Sequence, residues 1–157
     1  MTRSDTDIAT PVTTQRIFTA LAQACDQVPF FGSSTQYPFW AIPFETSSYN
    51  GSFTVMLMQP VDVNMVRVYS TAGLDPRCDP ARTAEELVYA LNPTLENAMI
   101  SQQVMDDGRV LITCESSFLA DTATDKQLEV WFDEAIGRVV EGMGRIMDAY
   151  VKWGSDV

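Results

Sequence analysis

The side chains able to do chemistry in this chain are carboxylates, three cysteines and scattered arginines, with no histidine among them. Without imidazole, Ser-His-Asp and Cys-His catalysis, histidine-ligated metals and the ordinary proton shuttle near pH 7 are excluded. Paired acids can still serve acid–base chemistry or hold a hard cation. Asp106-Asp107 precedes Gly108 in what reads as a hairpin turn, where Asp is favoured for hydrogen bonding to nearby backbone. Glu85-Glu86 falls in the first turn of an expected helix, where negative charge suits the macrodipole. Both pairs therefore read as structural. Asp75 and Asp79 could hold a calcium ion with nearby carbonyls, but their spacing is not that of an EF-hand loop.

The cysteines, Cys25, Cys78 and Cys114, are far apart and form no C-x-x-C, so neither a zinc site nor a redox pair is indicated. Cys25 and Cys114 lie in periodic segments and read as small core residues. Cys78 lies in the loop "GLDPRCDP" beside Arg77, where an exposed thiol is the alternative reading. No G-x-G-x-x-G or P-loop is present. The G-x-G of "VEGMGR" falls inside a helical pattern with no strand before it. No catalytic residue, cofactor or metal site emerges, and the chain reads as a non-enzyme.

The elements that must position these residues are easier to read. Residues 1–12 look like a flexible tail, 13–153 a single domain and 154–157 a short C-terminal tail. Ile17, Leu21, Ala24 and Cys25 at helical spacing after Thr13 or Thr14 predict a helix over about 14–26. Strands follow at 37–45, 51–59 and 63–71, with Asn50-Gly51 as the turn signal. Joined so tightly, they must form an antiparallel meander. Thr83 and Glu86 form a capping box for a helix over about 84–91, ended by Asn92-Pro93.

"QQVMDDGRVLITCESSF" (102–118) then reads as a hairpin turning at Asp107-Gly108. Val104, Val110, Ile112 and Cys114 would face the core, with Gln103, Thr113 and Glu115 towards water. A second capping box, Thr124 to Gln127, opens a long helix striped by Leu128, Trp131, Phe132, Ala135, Ile136, Val139, Met143, Ile146, Met147 and Tyr150. Gly137, Gly142 and Gly144 weaken that helix and would permit close approach. The order α-β-β-β-α-β-β-α predicts an α+β domain: a mostly antiparallel five-stranded sheet with helices on one face.

The middle strands are apolar on both sides, which is unusual where one face simply meets water. Phe53, Val55 and Leu57 oppose Met56 and Met58, and Val63, Met65 and Tyr69 oppose Val66 and Val68. Met56, Met58, Val66, Val68 and Arg67 are the candidate partner or ligand surface. For Arg67 the plainer reading is a snorkelling or edge arginine, and core filling is the plainer reading of the strand methionines. The net charge of −11 argues against nucleic acid and anionic membranes. No secretory leader or transmembrane run is visible, so a cytoplasmic protein is expected.

Asp106-Asp107-Gly108-Arg109-Val110 after the second helix, and Thr124-x-x-Gln127-Leu128 at the start of the last, resemble the YbjN family over residues 14–151. That family is described as proposed bacterial sensory transduction regulators with a fold like the type III secretion chaperones. The resemblance implies protein binding, commonly as a homodimer with exposed apolar surface, and carries over no catalytic residues. Two readings stand: a non-catalytic, chaperone-like or regulatory protein-binding module, or a small-molecule pocket between sheet and long helix. The pocket would need Phe39, Trp40, Trp131 and Arg67 to converge.

Overall fold

The computed structural model describes residues 10–25, 30–34, 37–46, 49–58, 64–74 and 79–155. Asp75, Cys78 and the first nine residues lie outside these, as does Val63.

Helix α1 spans Thr14–Cys25, and the Arg16 N–H donates to Thr13 Oγ1 at 3.3 Å, so Thr13 caps it. Strands β3 (Tyr37–Glu45), β4 (Asn50–Met58) and β5 (Met65–Gly73) make the expected meander. Asn50 and Gly51 open β4 rather than forming the turn. The connection closes one step earlier, where the Thr46 N–H donates to the Tyr49 carbonyl at 2.7 Å.

Helix α2 (Pro80–Leu91) begins four residues before the expected start. Proline at the first helical position carries no orphan N–H and a preset φ, so Pro80 rather than Thr83 fixes the start. Thr83 instead donates its N–H to the Asp79 carbonyl at 3.0 Å, and Glu86 pairs with Arg82 at 3.1 Å, one turn away. After a 3-10 turn over Asn92–Thr94 come β6 (Met99–Val104) and β7 (Val110–Leu119). Gly108 supplies the left-handed residue of their turn at φ 87°.

The second capping box forms as read. The Thr124 N–H donates to Gln127 Oε1 at 2.9 Å and the Gln127 N–H to Thr124 Oγ1 at 3.0 Å. It opens α3, Asp125–Ser155, 31 residues and about 46 Å long at ~1.5 Å per residue.

The five expected strands appear in the expected order, and Phe30–Ser34 (β2) adds a sixth at one edge. The sheet runs β2-β3-β4-β5-β7-β6 with every neighbouring pair antiparallel. β7 lies between β5 and β6, so those two run parallel and α2 is their crossover. Thr10–Pro11 (β1) pairs with Thr122–Ala123 (β8), and Val12 is 3% exposed. The core therefore begins inside the stretch read as tail.

All three helices lie on one sheet face. Trp40, Ile42, Phe53, Val55, Leu57, Val66 and Val68 pack under α1 and the first half of α3, with Leu128, Phe132 and Val139. Ile100, Val110, Ile112 and Cys114 pack under α2 and the second half of α3, with Leu87, Met143 and Ile146. Val104 shares this face with Val110 but is 62% exposed, correcting the expected hairpin core. It sits at the last rung beside the turn, beyond the helices' cover.

Of Gly137, Gly142 and Gly144, one works as a close-approach residue. A methyl on Gly142 would collide with Cys114 Sγ, one on Gly144 would make an ordinary 3.7 Å contact with Thr46, and one on Gly137 would meet nothing within 4 Å. Gly137→Ala should therefore stabilise the protein by about 0.5–1 kcal/mol through helix propensity. Gly142→Ala should destabilise it by about 1–2 kcal/mol, because overpacking outweighs the same gain. Urea melts of the two variants should shift in opposite directions; shifts of the same sign would contradict this packing.

Candidate functional site

Among the described residues, the other sheet face carries no helix. Alternation along each strand and the pairing register lay out what it presents. At one end Met58, Met65 and Leu119 form a rung. The next rung is Phe39, Met56, Arg67 and Ser117, followed by Ala41, Thr54, Tyr69, Glu115 and Met99. Beyond these, Thr71, Thr113 and Ser101 form a polar rung, with Thr71 and Thr113 hydroxyls 2.9 Å apart. The face thus grades from methionine-rich at one end to hydroxyl-rich at the other.

Arg67 sits at its centre, on the middle strand β5 rather than at an edge. Its guanidinium lies 4.3 Å from the Tyr69 ring centroid and its Nε donates to Glu115 Oε1. Both side chains are partly exposed, 36% for Arg67 and 25% for Glu115. Stacked and paired in this way, the arginine is held in place on the sheet face.

Of the five candidate surface residues, the structure brings together Met56, Met58 and Arg67. Val66 and Val68 are corrected: both are fully buried on the helix-covered face, facing Leu57 and Val55. Successive residues of β5 point to opposite faces, and the register of β4 against β5 decides which set meets the methionines. The sequence could not supply that register. Core filling by the strand methionines is likewise overturned. Met56, Met58 and Met65 are half-buried on the open face and Met99 is 58% exposed, while the core uses Met143. Phe39, Tyr69 and Leu119 complete the surface: Tyr69 shares the row of Met65 on β5, while Phe39 and Leu119 join it only through the pairing of β3 with β4 and of β5 with β7.

The small-molecule pocket does not assemble from the residues it needed. Trp40 is fully buried in the helix-side core, Phe39 and Arg67 lie on the opposite face, and Trp131 packs against Phe118 with ring centroids 5.6 Å apart. A polar crevice on the helix side, about 160 Å³, is lined by Thr94, Leu95, Glu96, Ala98, Arg138, Glu141 and Arg145. Its arginines are already engaged, Arg145 with the Thr94 carbonyl and Glu141, Arg138 with Glu134.

Among the described titratable groups, the displaced pKa values have structural causes. Asp107 accepts from the Arg109 N–H at 3.1 Å and from its guanidinium at 2.6 Å, which holds its carboxyl below the usual range. That is turn chemistry. Burial pushes the Cys114 and Cys25 thiols up to about 11, so neither is a thiolate near pH 7. Among the described residues no group of three or more acids and cysteines could hold a metal ion, and no helix is long and apolar enough to cross a membrane.

No family model matches the chain, and no curated protein matches it in sequence. In three dimensions it is similar to the crystal structure of YbjN, a proposed transcription regulator from E. coli. The TM-score is 0.60 at 14% identity, covering 89% of this chain and 92% of that one. At that identity the likeness shows a shared α+β fold.

Proposed function

We propose that this chain is a non-catalytic protein-binding module, regulatory or chaperone-like, whose uncovered sheet face receives another protein chain. The observation that carries this reading is the asymmetry of the sheet. One face is sealed by three helices, while the other leaves Met56, Met58, Met65, Phe39 and Leu119 on the open side around a paired arginine. Methionine side chains are unbranched and polarisable, so such a face adapts to varied partners. A fixed arginine at its centre suits an interface, where Arg and aromatics are enriched. Occupied carboxylates and protonated thiols favour binding over catalysis. A homodimer in the cytoplasm is the simplest such assembly, and the net charge of −11 favours protein over nucleic acid or anionic membrane.

The test is site-specific photo-crosslinking in cells, with the crosslinker at Met58 on the open face and at Tyr89, which is 85% exposed on α2, as the reference. Crosslinks to protein from position 58, absent from 89 and lost on Met65→Asp, are expected. Equal yields from both positions would count against this face.

A further inference from the structure

The ladder between β4 and β5 stops short. It ends at Thr54 and Tyr69, while β4 stays paired with β3 as far as Asn50 and β5 with β7 as far as Gly73. Past that rung the two strands part, each held by its other neighbour. Bonds elsewhere fix which way their peptide groups turn. The Thr46 N–H donates to the Tyr49 carbonyl, so by alternation Asn50 and Ser52 turn their peptide groups away from β3. The Leu74 N–H donates to the Val110 carbonyl, and by the same count Thr71 turns its own away from β7. All three face the gap. At its apex the Ser70 hydroxyl donates to the Ser52 carbonyl at 2.8 Å and takes the place of the next ladder bond.

The gap opens into a cleft of about 650 Å³, whose lining includes Phe44, Glu45, Tyr49, Asn50, Ser52 and Thr71. Phe44 and Tyr49, edge to face with centroids 5.9 Å apart, pack against the helix-side core and form its floor. Tyr49 lies across Gly51, where a methyl would collide with its ring, so the floor is in place before anything binds. Glu45 and Asn50 are cross-strand partners at the mouth. Glu45 is exposed and has no ion pair or hydrogen bond among the described residues. It is the one charged side chain among those lining the cleft.

We propose that this cleft binds a small organic cation, a primary ammonium group carried on a flat apolar body. The lining selects that class. An unpaired carboxylate in a chain of net charge −11 attracts a cation and repels an anion. An ammonium group has three donors and no acceptor, and it meets the Glu45 carboxylate and the carbonyls of Asn50 and Thr71 that the ladder leaves over. The rings of Phe44 and Tyr49 receive the apolar body and favour the charge beside it. Such a ligand bridges β4 and β5 where their own hydrogen bonds stop. The cleft is open to water, so binding is modest in strength. It lies at the hydroxyl-rich end of the sheet, away from the methionines, so the site goes beyond the proposed function and does not depend on it.

A titration with phenethylammonium chloride, followed by amide NMR, tests the site. The signals of Asn50, Ser52 and Thr71 should shift together and saturate. Phenethyl alcohol, which keeps the ring and loses the charge, should bind about fivefold more weakly or worse, and phenylacetate should not bind. Glu45→Gln should raise the Kd for phenethylammonium by about fivefold while leaving the circular dichroism unchanged. Absence of a saturable shift at these three amides, or shifts spread over the acidic surface at large, would overturn the proposal. Equal affinity for the alcohol, or indifference to Glu45→Gln, would overturn it as well. None of these results bears on crosslinking from position 58, so the two readings fail separately.

Discussion

Phe132→Ala should lower the free energy of unfolding by about 3–5 kcal/mol, a large share of the ~5–15 kcal/mol that holds an ordinary domain together. Phe132 is fully buried where α3 crosses the sheet, and its ring meets the edge of Phe118 with centroids 5.4 Å apart and planes 76° apart. Phe118 also packs against Trp131, so the three rings join α3 to β7. Truncation loses the transfer free energy of the ring and leaves a cavity that neither β7 nor α3, fixed along its whole length, can close. A urea melt measures the loss. Phe132→Leu, which fills more of the volume, should recover about half of it, and a loss below about 1 kcal/mol for alanine would mean the ring is not packed as described.

Arg16→Ala should cost about 2 kcal/mol, large for a residue near the surface. The Arg16 guanidinium, with its side chain 18% exposed, donates from Nε and Nη2 to Asp125 Oδ1 at 3.1 and 2.9 Å. It also donates to the Pro11 carbonyl at 3.0 Å and to that of Ala123. One side chain thus ties α1 to the β1–β8 pair and to the first turn of α3. The partial exposure of Asp125, 44%, discounts the ion pair itself, and water can replace the arginine at Pro11, so most of the effect comes from the part-buried Ala123 carbonyl left unmatched. Lysine lacks the planar fork that reaches four acceptor contacts, so Arg16→Lys should recover little. Thermal melts of the three proteins decide the point; full rescue by lysine would show that charge alone matters.

What the sequence carried and what it did not divide along physical lines. The long helix was legible because its apolar stripe repeats over many turns and its capping box is local: Thr124 and Gln127 need nothing but each other. The meander and the Asp107-Gly108 turn were legible for the same reason. The start of α2 was misread because two valid start signals compete within five residues, and Pro80 precedes Thr83. The candidate surface was half legible. Alternation separates Met56 from Val55 and Arg67 from Val66, but placing Met56 beside Arg67 rather than Val66 requires the pairing of β4 with β5, a long-range property. The Arg67–Glu115 pair, 48 residues apart in sequence, left no local signal at all.

Helix α3 contributes Leu128, Phe132, Ala135 and Val139 to one core cluster and Met143 and Ile146 to the other. Phe44 packs against both clusters from the opposite side. Among the described residues the two clusters consequently have no seam along which one can melt while the other survives. In hydrogen exchange, the amides of α3 from Leu128 to Ile146 should share one protection level, that of global unfolding.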